Sequence, residues 1–182
     1  SREKLKGDIE TLESYYRDRG YLKFSIESSQ ISLSRDKRSI FITFNVIEGK
    51  KYTINEVDVI GEIPFEEEAY IDITNALKGT TYSQATITSI EEFFTSILGN
   101  RGYAFAEVTG NTEVEDDSSE VKLVFSVEPG KKTYTRKILF TGNNITQDYV
   151  LRREMRQFEG AWSSDNSIEA GKVRLERLGY FK

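Results

Sequence analysis

Histidine and cysteine are both absent, and proline occurs only 2 times. Without either metal-binding side chain the chain holds no zinc finger or Cys/His metal centre, no thiol nucleophile and no His-dependent triad. Disulfides are equally excluded, which leaves the compartment open, because an extracytoplasmic domain of this size folds without them. No apolar run approaches the roughly 20 residues of a membrane-spanning helix. The opening Ser1-Arg2-Glu3-Lys4 has no apolar segment behind it of the kind a signal peptide needs. Basic residues are outnumbered, 25 against 30 acidic, for a formal charge of −5, a poor basis for a dedicated nucleic-acid binder. What is present is 182 residues with 37% apolar and 30% charged side chains, the composition of a globular chain of one or two domains rather than a disordered one. Catalysis is disfavoured from the outset.

An internal repeat organises the rest. Arg19-Gly20-Tyr21 recurs as Arg101-Gly102-Tyr103 and more loosely as Leu178-Gly179-Tyr180. Gly49-Lys50-Lys51 recurs as Gly130-Lys131-Lys132, an offset of 81. In that register Val57 matches Ile138, Val59 matches Phe140 and Gly61 matches Gly142. Ile40, Ile42, Phe44 and Val46 likewise fall on Val121, Leu123, Phe125 and Val127. The chain is therefore a tandem array with a period near 81 residues.

Periodicity assigns the elements of each copy. Leu5, Ile9, Leu12 and Tyr16 share one helical face, as do Ile87, Ile90, Phe94 and Leu98 behind the N-cap candidate Ser83. The third copy keeps Ile168 and Leu175, with Ala170 and Gly171 permitting closer approach. After each helix a glycine precedes an alternating run, Leu22/Phe24/Ile26 and Ala104/Ala106/Val108, then a polar turn and a second strand such as Ile40 to Val46. The turns are Ser34-Arg35-Asp36-Lys37 and Asp116-Asp117-Ser118-Ser119. Tyr52–Val59 and Thr133–Phe140 read as further strands, each followed by a helix, with stripes Ala69/Ile73/Ala76/Leu77 and Leu151/Met155/Phe158 and glycine stops at Gly79 and Gly160. Leu22, Phe24 and Ile26 are even-numbered whereas Ile31 and Leu33 are odd, so either a bulge near Ser28-Ser29 restores the apolar face or the strand ends at Ile26. The fold class is α+β, each βααββ unit having a three-stranded mixed sheet covered on one face by two helices and two sheet edges left open.

The βααββ order, the Arg-Gly-Tyr after the second helix and the strand ending in glycine resemble POTRA (polypeptide-transport-associated) domains. Val150-Leu151-Arg152-Arg153-Glu154-Met155-Arg156-Gln157-Phe158-Glu159-Gly160-Ala161-Trp162, with Arg177-Leu178-Gly179-Tyr180-Phe181, resembles the last POTRA domain of BamA-type outer-membrane protein assembly factors. Gly7-Asp8-Ile9-Glu10-Thr11-Leu12-Glu13-Ser14-Tyr15-Tyr16 is similar to the second helix of the third. The resemblance divides the chain into the C-terminal part of one POTRA domain (1–49), a complete one (50–130) and the N-terminal part of the next (131–182), without the closing hairpin and membrane barrel that follow in the family. The short connections at Lys50-Lys51 and Lys131-Lys132 make neighbours semi-rigid.

The resemblance implies a periplasmic scaffold at the outer membrane of a Gram-negative bacterium, non-enzymatic and without a cofactor. Its partners would be unfolded outer-membrane β-barrel proteins and accessory assembly lipoproteins, with periplasmic chaperones as further candidates. Client strands would add to the edge following the second helix, here Tyr103, Ala104, Phe105, Ala106, Glu107 and Val108, and Tyr21, Leu22, Lys23 and Phe24. Proline at Phe105 would then remove a donor from that edge. The lipoprotein contact would fall at Arg153, Arg156, Glu159 and Trp162. Read without the family, the arginines complement a helix C-terminus and Trp162 packs a helix–helix corner. A related secretion or translocation pore is the alternative within this class, and an RNA-binding tandem α+β module the alternative outside it. For the latter, Gly99-Asn100-Arg101-Gly102 is a GxxG of the kind KH domains use, although here it sits between a helix and a strand and reads as a helix stop. Glu66-Glu67-Glu68 reads as the opening turn of a helix and Glu115-Asp116-Asp117 as a hairpin turn, neither with a calcium-loop pattern. Thr146 of Asn144-Ile145-Thr146 reads as a helix N-cap.

Overall fold

Each Arg-Gly-Tyr motif ends a long helix in the same way. Helix α1 spans Arg2–Arg17 and helix α3 spans Gln84–Asn100. At the first motif Gly20 takes φ +102°, its N–H bonds the Arg17 carbonyl at 3.3 Å, and the Tyr21 N–H reaches back to the Tyr16 carbonyl at 3.2 Å. At the second, Gly102 takes φ +98°, with the Gly102 N–H on the Gly99 carbonyl and the Tyr103 N–H on the Leu98 carbonyl. This paired pattern is the Schellman motif, in which a left-handed residue lets two late amides satisfy orphan helix carbonyls. A tyrosine after the glycine supplies the accompanying apolar contact, the Tyr16 and Tyr21 rings meeting edge-on at 5.6 Å.

The computed structural model describes residues 2–35, 38–115 and 118–179. Asp36-Lys37 and Asp116-Asp117 of the expected hairpin turns, and Tyr180 and Phe181 of the closing motif, lie outside the described residues.

Strands β1 (Ser25–Leu33) and β2 (Ile40–Ile47) form an antiparallel hairpin. Its register shifts between Ile26, opposite Val46, and Ser28, opposite Asn45, so Glu27 is a one-residue bulge. The strand does not end at Ile26, and the extra residue puts Ile26, Ile31 and Leu33 on the face of their partners Val46, Ile42 and Ile40. Among the described residues this apolar face is open, Ile31 being 60% and Leu33 63% exposed.

The second copy carries the full βααββ order: β3 (Thr53–Gly61), a short 3-10 turn (Glu67–Ala69), α2 (Ile71–Leu77), α3, β4 (Glu107–Val114) and β5 (Glu120–Glu128). The strands form a mixed three-stranded sheet in the order β3-β5-β4. β5, central, buries Val121, Leu123, Phe125 and Val127 in alternation, and α3 buries Ile87, Ile90, Phe94 and Leu98, the face read from the sequence. The α2 stripe differs from expectation: Thr74 and Leu77 are buried, whereas Ala76 is exposed and Ala69 belongs to the 3-10 turn. The helix starts only at Ile71, so its first turn is later and its inward face rotates; Glu66–Glu68 accordingly precede the helix rather than open it.

The third copy departs most from the reading. Residues 133–140 form no strand beyond an isolated bridge between Tyr134 and Trp162, because a strand needs a ladder and no described hairpin flanks this segment. Helix α4 is only Asp148–Arg152, with Gln147 and not Thr146 at its N-cap, so Met155 and Phe158 lie beyond it and Phe158 is exposed. Gln157 fastens the loop that follows. It is buried, donates from Nε2 to the Phe158 and Trp162 carbonyls at 3.2 and 3.0 Å and accepts the Ser164 N–H at 3.0 Å, a closed set that fastens residues 157–164 as a loop. Helix α5 (Asp165–Arg177) follows, Ser164 Oγ accepting the Ser167 N–H. Gly171 faces Met155, whose Sδ and Cε would lie 3.2 Å from an added Cβ, the close approach expected of the thinned helix face.

By contacts the chain falls into two compact units, one of Ser1–Val59, Glu67–Ser89 and Gly110–Phe125, the other of Ile60–Glu66, Ile90–Thr109 and Ser126–Lys182. Each contains one passage from a copy to the next. In the first, the Gly20 carbonyl accepts the Tyr52 N–H at 2.8 Å, the Tyr82 N–H bonds the Tyr52 carbonyl at 3.0 Å, and Ile54 exchanges bonds with Thr80 and Gly79 at 2.8 and 2.6 Å. In the second, the Gly102 carbonyl accepts the Thr133 N–H at 2.8 Å, the Ser163 N–H bonds the Thr133 carbonyl at 3.0 Å, and Thr135 exchanges bonds with Ala161 and Gly160 at 2.9 and 2.7 Å. Every member of the second set stands 81 residues after its counterpart except Gly102, which stands 82 after Gly20.

Candidate functional site

The residues expected to form a client-binding edge are mostly not strand. Tyr21 to Phe24 and Tyr103 to Ala106 turn the chain from helix to sheet: the Phe24 N–H bonds the Tyr21 carbonyl at 3.0 Å and the Ala106 N–H bonds the Tyr103 carbonyl at 3.1 Å. Of the ten, only Glu107 and Val108 are in a strand, the start of β4. The reason is the Schellman closure, which commits the tyrosine amide to the helix and needs a further turn before the chain can extend. Phe24 is 2% exposed and stacks on Tyr16 at 4.1 Å, so it is core. Phe105 is 78% exposed but lies in the turn, so its N–H is not a ladder donor and a proline there does not test the edge.

The open edges are displaced along the chain. β4 is an outer strand of the β3-β5-β4 sheet, presenting exposed Glu107, Thr109, Asn111 and Glu113 alternately with half-buried Val108, Gly110, Thr112 and Val114. β1 is the corresponding strand of the first copy. Charged residues on an outer strand discourage pairing with another copy while leaving backbone groups available to a suitable peptide.

The second candidate cluster is an ionic one. Arg152 Nε lies 2.9 Å from Asp148 Oδ2, its Nη1 2.9 Å from Glu159 Oε1, and its Nη2 donates to the Ile138 carbonyl at 3.1 Å. Glu159 Oε1 also accepts the Ile138 N–H at 2.8 Å. That backbone bond first, and the Arg152 guanidinium second, hold the Glu159 carboxyl below its ordinary range. Arg152 therefore does more than complement a helix end: with Glu159 it clasps both backbone groups of Ile138, doing for an unpaired segment what a neighbouring strand would do. Arg153 sits at the C-cap of α4, 3.3 Å from Glu154, which Arg174 holds more closely at 2.8 Å. Arg174 first, then Arg153, lowers the Glu154 carboxyl. Arg156 is exposed. Trp162 is not a buried corner residue; it is 57% exposed, and the Lys132 ammonium lies 5.4 Å from its ring and 5.4 Å from that of Tyr103.

An open apolar groove of about 430 Å³ runs beside this cluster, lined by Ile138, Phe140, Leu151, Met155, Ile168 and Leu175. Val57, Ile87 and Phe94, the second-copy counterparts of Ile138, Ile168 and Leu175, are buried.

The GxxG segment is structural. Gly102 is the Schellman glycine, and at Gly99 an added Cβ would overlap the Asp165 carboxylate, so the segment faces an acid rather than a phosphate. Among the described residues no group of three or more His, Cys, Asp or Glu is placed to hold a metal ion, and no helix is long and apolar enough to cross a membrane.

Two residues that sequence reasoning passed over stand between the copies. Asp18 Oδ1 accepts the Ala85 N–H at 2.8 Å, and Asn100 Oδ1 accepts the Asn166 N–H at 2.8 Å. Each stands two residues before the Schellman glycine. Extending the motif leftward to Asp-Arg-Gly-Tyr and Asn-Arg-Gly-Tyr was the signal that could have found them.

Comparison with known proteins bears on all of this. The family "POTRA: Surface antigen variable number repeat" matches three times, at residues 1–49, 52–130 and 133–182. The chain is 32% identical over 181 residues to the outer membrane protein assembly factor BamA of Buchnera aphidicola, covering 100% of this chain and 29% of that protein. It is 31% identical to BamA of Neisseria meningitidis serogroup B, covering 98% of this chain and 23% of that protein, so it spans less than a third of either relative. The crystal structure of Haemophilus influenzae BamA POTRA3-5 superposes with a TM-score of 0.85 at 30% identity, covering 98% of this chain and 70% of that one.

Proposed function

The chain belongs to the POTRA family, and from that premise we propose that it is part of a periplasmic, non-enzymatic scaffold for assembling β-barrel proteins into the outer membrane. In this reading residues 1–49 are the C-terminal part of one POTRA domain, 50–130 a complete domain and 131–182 the N-terminal part of the next. The names of the relatives support the assembly role. The observation that carries the mechanism is the outer position of β4 in the sheet, with polar side chains on its exposed face. An unfolded barrel strand adds there through main-chain hydrogen bonds, which demand an extended backbone and little else of the sequence. That suits a scaffold with many clients. Arg153, Arg156 and Trp162, with solvent access at the end of α4, are the proposed contact for an accessory lipoprotein, and Glu159 positions the segment behind them through Arg152.

The test is an amide NMR titration with an extended peptide copied from an outer-membrane barrel strand. Shifts confined to Glu107–Val114, or to Ser25–Leu33, are expected. A silent spectrum at both strands overturns edge capture and leaves a docking scaffold. Thr109→Pro and Thr112→Pro refine the result, since residues of opposite parity in a strand point their N–H groups to opposite sides. The variant that stays folded should lose peptide binding.

A further inference from the structure

We propose that Asp18 and Asn100 are orientation locks, each fixing how the following copy is held against the one before, independently of what the edges bind. The first amides of a helix have no partner within it. In α3 the Ser83 Oγ takes the Thr86 N–H at 3.3 Å, and in α5 the Ser164 Oγ takes the Ser167 N–H at 3.3 Å, each a local cap on the third amide. The second amide of each helix, at Ala85 and Asn166, is taken instead by a side chain from the preceding copy of the family match, Asp18 or Asn100. The same copies are already joined through the strand side, where the Gly20 and Gly102 carbonyls accept the Tyr52 and Thr133 N–H groups at 2.8 Å.

Two anchors on different elements of one copy do what a single anchor does not. A lone backbone bond at the connection leaves rotation about it free, whereas a second bond to the start of a helix stops that rotation. Aspartate and asparagine are interchangeable in this role because each presents a short side-chain oxygen as acceptor. At the second joint the lock is reinforced, Ser164 Oγ donating to the same Asn100 oxygen at 3.2 Å.

The absence of native cysteine permits site-specific spin labels on introduced pairs in the intact chain. Labels at exposed Glu10 and Thr88 report the first joint, and labels at exposed Glu92 and Ala170 the second. Pulsed dipolar spectroscopy should give one narrow distance distribution for each pair. Asp18→Ala should broaden only the first pair, with about a fivefold rise in undocked population, the size expected for losing a helix-capping acceptor. Asn100→Ala should broaden only the second. Asp18→Asn and Asn100→Asp keep the acceptor and should stay narrow, which guards against misfolding as the cause. Unchanged widths in the alanine variants, equal broadening of both pairs by either one, or broadening in the acceptor-retaining variants would overturn the proposal.

Discussion

The two joints share a backbone and differ in some of their side chains, and the difference separates what the repeat must keep from what it can vary. Four backbone bonds recur from one joint to the next, at an offset of 81 for all their partners but the glycine carbonyl, with lengths that agree within about 0.1 Å. The side chains around them recur only in part: a lysine stays beside each glycine, Lys51 or Lys132, and each helix keeps its serine cap and side-chain acceptor, whereas other neighbours change. Where the first joint places Thr81 against Gly20, the second places Trp162 against Gly102; an added Cβ would meet the Thr81 Cγ2 at 2.8 Å but the Trp162 Cβ only at 3.4 Å. The arginine of each motif also finds a different aromatic: Arg19 lies 3.5 Å from the Tyr15 ring centroid in the helix before it, and Arg101 lies 5.4 Å from that of Phe65. Backbone complementarity is thus the invariant, and residues meet it with whatever volume the local sequence supplies.

That comparison is broken most directly at its glycines. Both need a positive φ, so alanine at either is strained, but only Gly20 also lacks room. Gly20→Ala should cost about 2–4 kcal/mol and Gly102→Ala about 1–2 kcal/mol. Denaturant melts of the two variants check the order; equal losses would mean that the close approach at Gly20 relaxes at no cost.

A smaller effect sharpens the side-chain contrast. Lys132 lies between the Trp162 and Tyr103 rings, each centroid 5.4 Å away, so Trp162→Ala should lower stability by about 0.5–1 kcal/mol, the range of a partly exposed cation–π contact. Lys132→Ala in the Trp162→Ala background should then cost less than it does alone, the Tyr103 contact being what remains, and a double-mutant cycle measures the difference.

The smallest effect distinguishes the units by pH. In the second unit the Glu159 and Glu154 carboxyls lie below their ordinary value of 4.5, through the Ile138 N–H and Arg152 for one and Arg174 for the other. A depressed carboxyl contributes stability that is present above the ordinary value and lost as pH falls through the folded one. In the first unit Lys122 is raised above 10.5 by Asp58 first and then Glu56, so its contribution is intact below 10.5 and lost only as pH rises through the raised value. Amide exchange should therefore speed up first around Ile138 in acid and first around Lys122 in alkali. All these groups are solvent-accessible, so the changes are modest.

Much of the fold was legible before any coordinates. Glycine's conformational freedom made Arg-Gly-Tyr readable as a helix stop, and the switch from even to odd apolar positions located a bulge that falls at Glu27. The α3 face read correctly because 17 residues of regular spacing outweigh local accidents. The candidate edge was misplaced because alternation in Leu22/Phe24/Ile26 and Ala104/Ala106/Val108 is indistinguishable, as a pattern, from a turn feeding a strand. The strand expected at 133–140 failed for a different reason: its apolar alternation is real, but a strand also needs a ladder, and among the described residues this segment has only the isolated Tyr134–Trp162 bridge.

By itself the sequence determined the local chemistry of this protein: the period of 81, the helix faces, the stops and the parity of the hairpin. Each of these depends on torsional preference and apolar spacing within a few residues. Only the tertiary structure decided which amides Asp18 and Asn100 accept, that Gln157 closes a loop where a helix was expected, and that Glu159 faces Arg152 and Ile138. Those contacts join groups up to 67 residues apart, and a hydrogen bond at that separation is set by where the backbone brings its donor, which no short stretch of residue types encodes.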